Sequence, residues 1–333
     1  MNATRPVCLV TGATGAIGPS VVDALAGKFQ VRTLTRRPPP PGLFRVAVAA
    51  LEGDVSDVAT VRRAAEGARA IVHLAALLHV VDPPHSMRAE YERVNVGGTA
   101  AVMDAAKTEG VSRVVLLSTI AVYGNQPQVL LNEDSPTHPD TFYGETKLQA
   151  ERVALAARGD DGRRLSTVLR SAAVYGPSVK GNYQRLVRAL ARHRFVPIGP
   201  GDNRRTLVHE QDLAAATVLA AEHSAAAGRI YNVSDGHVHA LRDIIAAMCA
   251  ALGRRAPRWH APVGPARVAL RVGSVIDRRL PAMLNKYLED VAVDGSRIQD
   301  ELGFRPATVL LEGWRATVAE MRRSGALPKL PPL

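Results

Sequence analysis

The sequence predicts an α/β protein in which a doubly wound parallel sheet is followed by a smaller C-terminal α/β domain. Two observations support this prediction: apolar runs alternate with helical patterns in the first half of the chain, and this rhythm is interrupted after about residue 175. In the first half of the chain, short runs that are apolar throughout, such as VCLVTG at 7–12 and SRVVLLST at 112–119, alternate with helical patterns. Strands of this kind indicate a parallel sheet that is covered by helices on both faces. Right-handed crossover connections then make the sheet doubly wound.

The predicted elements follow one another with short connections. They are a strand at 7–12, a helix at 17–28, a strand at 31–36, a further segment at 48–55, a helix near 57–67, a strand at 68–76, a long helix at 88–109 and a strand at 112–119. After about residue 175, glycine and proline interrupt this rhythm, and helical patterns return at 210–223 and 240–252. We expect one domain over 1–175 and a second over 176–333, with some segments of the second returning to the first sheet.

The composition is that of a globular protein, because apolar residues make up 47% and charged residues 22% of the chain. The most apolar stretch, AIVHLAALLHVV at 70–81, is too short to span a bilayer. The N-terminus lacks the basic region, long apolar region and cleavage site of a secretory signal. We therefore expect a cytoplasmic protein without a membrane span.

The charged residues favour small anionic partners. The formal net charge is +11 at pH 7, and the arginines occur mostly as pairs spread along the chain, without a basic stripe. This pattern favours a phosphorylated cofactor or an acidic substrate over nucleic acid. Cys8 and Cys249 lie far apart in the sequence, and the histidines do not have zinc-ligand spacing. We expect neither a disulfide nor a bound metal.

A glycine-rich loop, TGATGAIG at 11–18, connects the first predicted strand to the first predicted helix. Glycines at this point let the backbone turn sharply and approach a pyrophosphate, and the helix N-terminus attracts the same anion. The strand–loop–helix context favours a Rossmann-type dinucleotide site over a glycine-rich turn that binds no ligand. The candidate cofactor-binding residues in this loop are Gly12, Thr14, Gly15, Ala16, Ile17 and Gly18.

The end of the second predicted strand is basic rather than acidic. An acidic side chain there would mark the unphosphorylated ribose of NAD(H), but the chain has Thr35, Arg36 and Arg37. Arginine suits a 2′-phosphate, so Arg36 and Arg37 favour NADP(H). The alternative is that both arginines are solvated loop charges and that NAD(H) binds.

The combined motifs resemble the extended short-chain dehydrogenase/reductase family, of the NAD-dependent epimerase/dehydratase type. They fall in the family's order along nearly the whole chain: TGATGAIG, GDV (53–55), HLAA (73–76), VNVGGT (94–99), LSTIAVYG (117–124), YGETK (143–147), LRSAAVYGP (169–177), RRTLVHEQDLA (204–214), YNVSDG (231–236) and LGFRP (302–306). The resemblance implies a nicotinamide-dependent enzyme, with cofactor bound mainly by the first domain and substrate mainly by the second.

The resemblance also implies catalytic residues. Tyr143 would be the general acid/base, Lys147 its activator and Thr119 the hydroxyl that orients the substrate oxygen. A free phenol has a pKa near 10, but residues four apart share a helix face, so the Lys147 ammonium group can favour the phenolate. We therefore expect the pKa of Tyr143 to be lowered towards neutrality. In the family, Tyr143 and Lys147 also adjoin the nicotinamide ribose.

Other cofactor contacts are implied by the same resemblance. They are Asp54 and Val55 near the adenine, Leu74, Ala75 and Ala76 after a strand, and Asn95 within a helix. In the family, the position of Asn95 helps to maintain a relay of water and backbone groups; the alternative is a helix residue whose hydrogen bonds are satisfied locally. His73 is expected to border the cofactor or to fill space at a strand end.

Within the family, the second half of the chain resembles bacterial nucleotide-sugar 4-epimerases and 4-ketoreductases. The implied substrate contacts are Ser118, Thr119, Tyr143, Asn182 and Arg205, of which the last two would engage the diphosphate. Ala173 departs from the pattern, since many such epimerases have asparagine there. Ile120 and Ala121 stand where 4,6-dehydratases carry an acid pair, which argues against dehydration.

Four functions remain open on the sequence. The first is a 4-epimerase of a nucleotide-linked hexose, and the second is an NADPH-dependent 4-ketoreductase of a 4-keto-6-deoxy sugar nucleotide. The third is a reductase of a small carbonyl substrate without a nucleotide, and the fourth is a non-catalytic cofactor-sensing regulator. A homodimer is expected through the apolar faces of 88–109 and 143–157, although packing against the sheet explains the same pattern.

Overall fold

The computed structural model describes residues 5–327 apart from 79, 81–82, 128, 180 and 274–279. Its strands are β1 (Val7–Thr11), β2 (Gln30–Thr35), β3 (Ala49–Glu52), β4 (Ala68–His73), β5 (Arg113–Thr119), β6 (Leu130–Leu131), β7 (Ser166–Ser171), β8 (Ala173–Tyr175), β9 (Arg204–His209), β10 (Ile230–Val233), β11 (Val238–Ala240) and β12 (Ala292–Val293).

The α-helices are α1 (Gly18–Leu25), α2 (Val58–Ala65), α3 (Arg88–Tyr91), α4 (Gly98–Thr108), α5 (Phe142–Ala156), α6 (Asn182–Ala191), α7 (Glu210–Glu222), α8 (Leu241–Leu252), α9 (Val263–Gly273), α10 (Leu280–Leu288), α11 (Ser296–Leu302) and α12 (Leu310–Arg323). The predicted helix at 88–109 is continuous in outline but contains a π-helical section, Glu92–Gly97, between α3 and α4. None of the described helices is both long and apolar enough to cross a bilayer.

The main sheet has seven strands, all parallel, in the spatial order β10-β7-β5-β4-β1-β2-β3. The predicted doubly wound parallel sheet is therefore confirmed. Strand order reverses between β1 and β4, and in such sheets ligands bind at this point, beyond the carboxyl ends of the strands. The fold thus places the glycine loop and the residues that follow β4 and β5 along one edge.

The apolar pattern of the strands follows from burial on both faces. Val10 in β1 packs in one core cluster together with Val21 and Leu25 of α1, whereas its neighbour Leu9 packs in the opposite cluster with Val102 of α4. Successive residues of a strand point to opposite faces. A strand covered on both faces must therefore be apolar at every position.

The second half of the chain builds two smaller sheets and also contributes to the main one. β9 pairs with β8 in parallel and with β11 antiparallel, while β6 and β12 form a two-stranded sheet. A separate apolar cluster lies beside the three-stranded sheet, with Tyr175 stacked on Trp314 at a ring distance of 4.6 Å. β10 crosses back to pair with β7 in the main sheet.

Candidate functional site

The glycine loop turns between β1 and α1 at the carboxyl edge of the sheet. Gly12 has φ +72°, and a Cβ atom there would lie 2.5 Å from the backbone N of Ala75. A Cβ atom on Gly18 would collide with the backbone of Ala13. Both positions therefore need glycine. A Cβ atom on Gly15 would meet only the Gly12 carbonyl, at 3.1 Å, so the outer side of the loop is open.

The start of α1 has the properties of an anion site. Ile17 is the N-cap residue and provides no side-chain hydrogen bond to the first turn. Thr14 and Gly15 are exposed, and Ala16 is partly exposed. The N–H groups of Gly15 and Gly18 donate within the loop, to the Gly12 and Gly15 carbonyls at 2.9 and 3.1 Å. The positive end of the helix dipole lies at this open turn. The six loop residues predicted from the sequence fit the pyrophosphate of a dinucleotide.

The loop after β4 is held close to the glycine loop. The backbone N of Leu74 donates to the Thr11 carbonyl at 3.1 Å, and the N of Ala75 donates to Thr11 Oγ1 at 3.4 Å. Leu74, Ala75 and Ala76 are partly exposed. The structure therefore brings this predicted segment beside Gly12, where a bound dinucleotide would pass.

Asn95 lies inside the protein and fixes the same loop from below. Its Oδ1 accepts from the N of Leu77 at 2.7 Å, and its Nδ2 donates to Thr146 Oγ1 at 3.0 Å and to the Leu77 carbonyl at 3.3 Å. The side chain is 1% exposed. These contacts join the loop after β4 to α5.

The adenosine end of the predicted site is partly engaged by protein contacts. Asp54 Oδ1 accepts from the N and Oγ of Ser56 at 2.9 and 2.8 Å and lies 3.5 Å from Arg93 Nη1. These hydrogen bonds and the charge of Arg93 lower the pKa of Asp54. Val55 is buried in the core, so only its backbone is suited to a ligand. Arg36 and Arg37 are exposed just after β2.

Tyr143, Thr119 and Lys147 come together at the centre of the carboxyl edge. Thr141 caps α5 by accepting from the N of Gly144 at 3.1 Å, which places Tyr143 in the first turn and Lys147 one turn later. Thr119 is the last residue of β5, and its hydroxyl hydrogen-bonds the phenol of Tyr143. Tyr143 remains partly exposed, whereas Lys147 is 3% exposed. The three predicted catalytic residues thus share one location.

The pKa values of this group differ from the expectation. Desolvation by the surrounding protein raises the pKa of Tyr143 to about 12, against the smaller lowering effect of the Thr119 hydrogen bond. Burial lowers the pKa of Lys147 to about 8, and the carboxylate of Glu151 opposes this shift. The expected lowering of the Tyr143 pKa is therefore absent from the protein alone, because desolvation disfavours the phenolate more than its hydrogen bond stabilises it.

The Lys147 side chain lies in the interior and is 3% exposed. An ammonium group in such a place is stabilised by a ligand that supplies hydrogen-bond acceptors. The hydroxyls of a nicotinamide ribose are acceptors of the required kind. Together with the open glycine loop, this group fits a bound nicotinamide dinucleotide.

Sequence reasoning missed two charged residues next to the catalytic group. The Glu151 carboxylate and the Arg170 guanidinium form an ion pair of 2.7 Å, and their side chains are 2% and 4% exposed. Glu151 also accepts a hydrogen bond from Ser118 Oγ. A signal was present, because Glu151 follows Tyr143 and Lys147 at four-residue spacing on the same helix face.

The predicted diphosphate contacts lie in the second half of the chain. Asn182 is exposed at the first position of α6. Arg205 is largely buried: Nη2 donates to the carbonyls of Lys286 and Tyr287 at 2.8 and 3.2 Å, and Nη1 lies 3.5 Å from Glu289. The last carbonyls of a helix lack intrahelical partners and attract a cation, which explains why Arg205 binds the end of α10.

The described residues contain no group of three or more His, Cys, Asp or Glu side chains that could hold a metal ion. His73, which the sequence placed at a strand end, contacts Thr11 and Thr99 and is buried. Ser118 is also buried, and its hydroxyl is directed to Glu151. The groups that face the open edge are therefore the glycine loop, Tyr143 and Thr119.

Comparison with known proteins finds relatives that are similar along nearly the whole chain. The chain is 28% identical over 319 residues to a UDP-glucose 4-epimerase of Vibrio cholerae, with 93% of each chain covered. It is 32% identical over 333 residues to a dTDP-glucose 4,6-dehydratase of Streptomyces griseus, covering 93% of this chain and 92% of the relative. A solved structure, MoeE5 in complex with UDP-glucose and NAD, is 30% identical and superimposes with a TM-score of 0.75, covering 95% and 99% of the two chains.

The family model described as the NAD dependent epimerase/dehydratase family matches residues 8–234. This match includes the glycine loop, Thr119, the Tyr143–Lys147 pair and β10. The UDP-glucose 4-epimerase and the dTDP-glucose 4,6-dehydratase are each matched over nearly the whole chain. The chain is therefore an enzyme of the NAD-dependent epimerase/dehydratase family, of the extended short-chain dehydrogenase/reductase type.

Proposed function

We propose that this protein is a 4-epimerase of a nucleotide-linked hexose. The observation that carries the proposal is the hydrogen bond between Thr119 and Tyr143 at the open edge of the sheet, with Lys147 on the next turn of α5. A hydroxyl and a phenol held together can bind one oxygen of an alcohol or ketone between them. This arrangement suits reversible proton transfer at a secondary alcohol.

The cofactor would be held by the residues that line the edge. Gly12 to Gly18 would bind the pyrophosphate, the loop Leu74–Ala76 would lie along it, and Lys147 would bind the nicotinamide ribose. A bound nicotinamide would supply the acceptor and donor of hydride for the sugar carbon. The positive charge of its oxidised ring would oppose the desolvation that raises the pKa of Tyr143.

Each catalytic side chain would have one task. Tyr143 takes the proton from the C4 hydroxyl. It returns the proton after the 4-keto sugar has rotated in the pocket and presents its other face. Thr119 donates a hydrogen bond to the same oxygen and holds it against Tyr143. Lys147 supplies the cation that favours the phenolate during this exchange.

The relatives support a nucleotide sugar as the substrate. The related solved structure holds UDP-glucose, and Asn182 and Arg205 would bind the diphosphate of such a ligand. Burial raises the pKa of Tyr183, next to Asn182, to about 12, and the charge of Arg205 opposes this shift, so the two predicted contacts lie near each other. Ile120 and Ala121 follow Thr119 at the start of a 3-10 turn, and neither side chain can perform the acid/base steps of a dehydration.

The test is incubation of the purified protein with a panel of UDP- and dTDP-hexoses without added cofactor. We expect inversion at C4 of at least one sugar, detected by NMR, without net change in nicotinamide absorbance. Strict consumption of NADPH with a 4-keto-6-deoxy sugar nucleotide would instead favour the 4-ketoreductase. If neither C4 inversion nor NADPH-dependent reduction of a nucleotide sugar is found, and a small ketone is reduced instead, a nucleotide-sugar function would be contradicted.

We propose NADP(H) as the favoured cofactor on the strength of Arg36 and Arg37, although the related structure contains NAD. Both side chains are exposed, so they are free to meet a 2′-phosphate. Calorimetry with the double variant Arg36→Ala/Arg37→Ala tests this. A loss of NADP⁺ affinity with NAD⁺ affinity unchanged supports the proposal, and equal affinities in the unaltered protein contradict it.

A further inference from the structure

The most buried ion pair near the catalytic group has no part in the proposed proton transfer. Glu151 Oε2 lies 2.7 Å from Arg170 Nη2, and Arg170 Nε lies 3.1 Å from both carboxylate oxygens. Burying two charges costs several kcal/mol for each ion unless geometry and further hydrogen bonds offset the cost. Here the carboxylate is fully engaged, because Ser118 Oγ also donates to Oε1.

The pair links the three elements that carry the site. Glu151 lies on α5, one turn after Lys147. Ser118 is adjacent to Thr119 in β5, and Arg170 lies opposite Ser118 in the neighbouring β7. The carboxylate therefore joins the helix of Tyr143 and Lys147 to the strand of Thr119 through one set of hydrogen bonds.

Arg170 is itself fixed from the other side. Its Nη1 donates to the hydroxyl of Tyr123 at 2.9 Å, and its guanidinium lies over the Tyr123 ring at 4.9 Å. The Tyr123 hydroxyl in turn donates to Asn232 Oδ1 at 2.8 Å. Because Asn232 lies in β10, the orientation of Glu151 depends on contacts that span both halves of the chain.

We propose that Glu151 and Arg170 are positioning residues of the catalytic site. The pair sets the placement of Thr119 relative to Tyr143, and the Glu151 carboxylate supplies the negative charge that faces Lys147 in the interior. This inference deepens the proposed function and rests on it for the catalytic readout.

The charges around Lys147 come from several elements. Tyr143 and Glu151 lie on its own helix, His73 lies on β4, and Arg170 on β7 adjoins Glu151. His73 is neutral at working pH because burial and the charge of Lys147 lower its pKa to about 3. Arg170 remains cationic. Glu151 is therefore the group whose removal changes the charge balance at Lys147.

The decisive variant is Glu151→Gln, which keeps the size and much of the hydrogen bonding but removes the charge. We expect the pKa of Lys147, measured by competitive acetylation across pH with mass spectrometry, to fall by at least about one unit. The alkaline limb of the kcat/KM profile for the active hexose should move to lower pH by a similar amount. Asp212→Asn is the matched control, because Asp212 is also buried and, among the described residues, accepts hydrogen bonds only from the N of Ala307 and the N of Thr308.

Arg170→Lys separates position from charge, since it retains the cation but not the paired hydrogen bonds. We expect kcat to fall at least about tenfold with KM and the pH limb unchanged. If Glu151→Gln does not fold, this variant decides on the positioning claim. An unchanged Lys147 pKa in folded Glu151→Gln, or unchanged kcat in Arg170→Lys, would overturn the inference. The labelling needs no substrate, so it gives a result even if the proposed epimerase activity is not found.

Discussion

The Nδ1 atom of His73 lies 2.7 Å from Oγ1 of Thr11, and the two side chains join the carboxyl ends of the adjacent strands β4 and β1. On its other side, Nε2 lies 3.2 Å from Thr99 Oγ1 at the start of α4. The ring is 1% exposed. His73 therefore has a structural role: it stabilises the carboxyl edge of the sheet, next to the predicted cofactor loops, and is not a catalytic residue.

His73 should make the fold sensitive to acid. Burial lowers its pKa to about 3, from 6.5 in the unfolded chain. Its stabilising contribution is complete above pH 6.5 and is lost as the pH falls towards 3, because the unfolded state then binds the extra proton. Urea unfolding from pH 7 to pH 3 should show that the unaltered protein loses up to about 4 kcal/mol more than His73→Gln. The exposed His260→Gln control should follow the unaltered protein, and parallel curves for all three would contradict this role.

Gly15→Ala should weaken cofactor binding without unfolding the protein. The added methyl group would meet only the Gly12 carbonyl within the protein, but it would occupy the open side of the loop. We expect the dissociation constant for the dinucleotide to rise about tenfold or more, as one disturbed charge-assisted hydrogen bond implies. Gly264→Ala, where a methyl group meets open space, is the control. Unchanged affinity in Gly15→Ala would place the pyrophosphate elsewhere.

Arg205→Ala should weaken binding of UDP, although Arg205 now contacts the end of α10. A diphosphate offers the guanidinium stronger paired hydrogen bonds than two carbonyls do, so we expect a rearrangement from Glu289 to the ligand. The loss should be about tenfold to a hundredfold. Arg204→Ala is a matched control, since Arg204 pairs with Asp290 at 3.2 Å. If calorimetry finds the same UDP affinity in both variants, Arg205 does not bind the diphosphate and its role is structural.

The sequence pattern was sufficient for β1, β2, β4 and β5 of the main sheet because the information is local, whereas β7 and β10 were not predicted as strands. In β1, Cys8 and Val10 pack in one core cluster and Val7 and Leu9 in the other, so the burial of this strand on both faces can be read from consecutive residues. The position of Tyr143 at the start of α5 was equally accessible, since Thr141 provides a helix cap.

The rest depends on contacts between distant parts of the chain. Arg205 is bound by carbonyls 81 and 82 residues further on, and no local pattern indicates that α10 ends there. The direction of the Tyr143 pKa was predicted wrongly for the protein alone, because helix spacing reveals the nearby lysine but not the desolvation of the phenol. The link from Glu151 to Arg170 was missed for the same reason.

The most direct test of the account is C4 inversion by Tyr143→Phe, measured with the active hexose and with cofactor binding followed in parallel. We predict a loss of turnover of about a hundredfold to ten-thousandfold, as for removal of a general acid/base, while the dinucleotide still binds. Tyr175→Phe is the matched control, because its hydroxyl is buried without a hydrogen-bond partner in the described structure. Turnover by Tyr143→Phe equal to that of Tyr175→Phe would contradict the assignment of Tyr143 as the proton-transferring group.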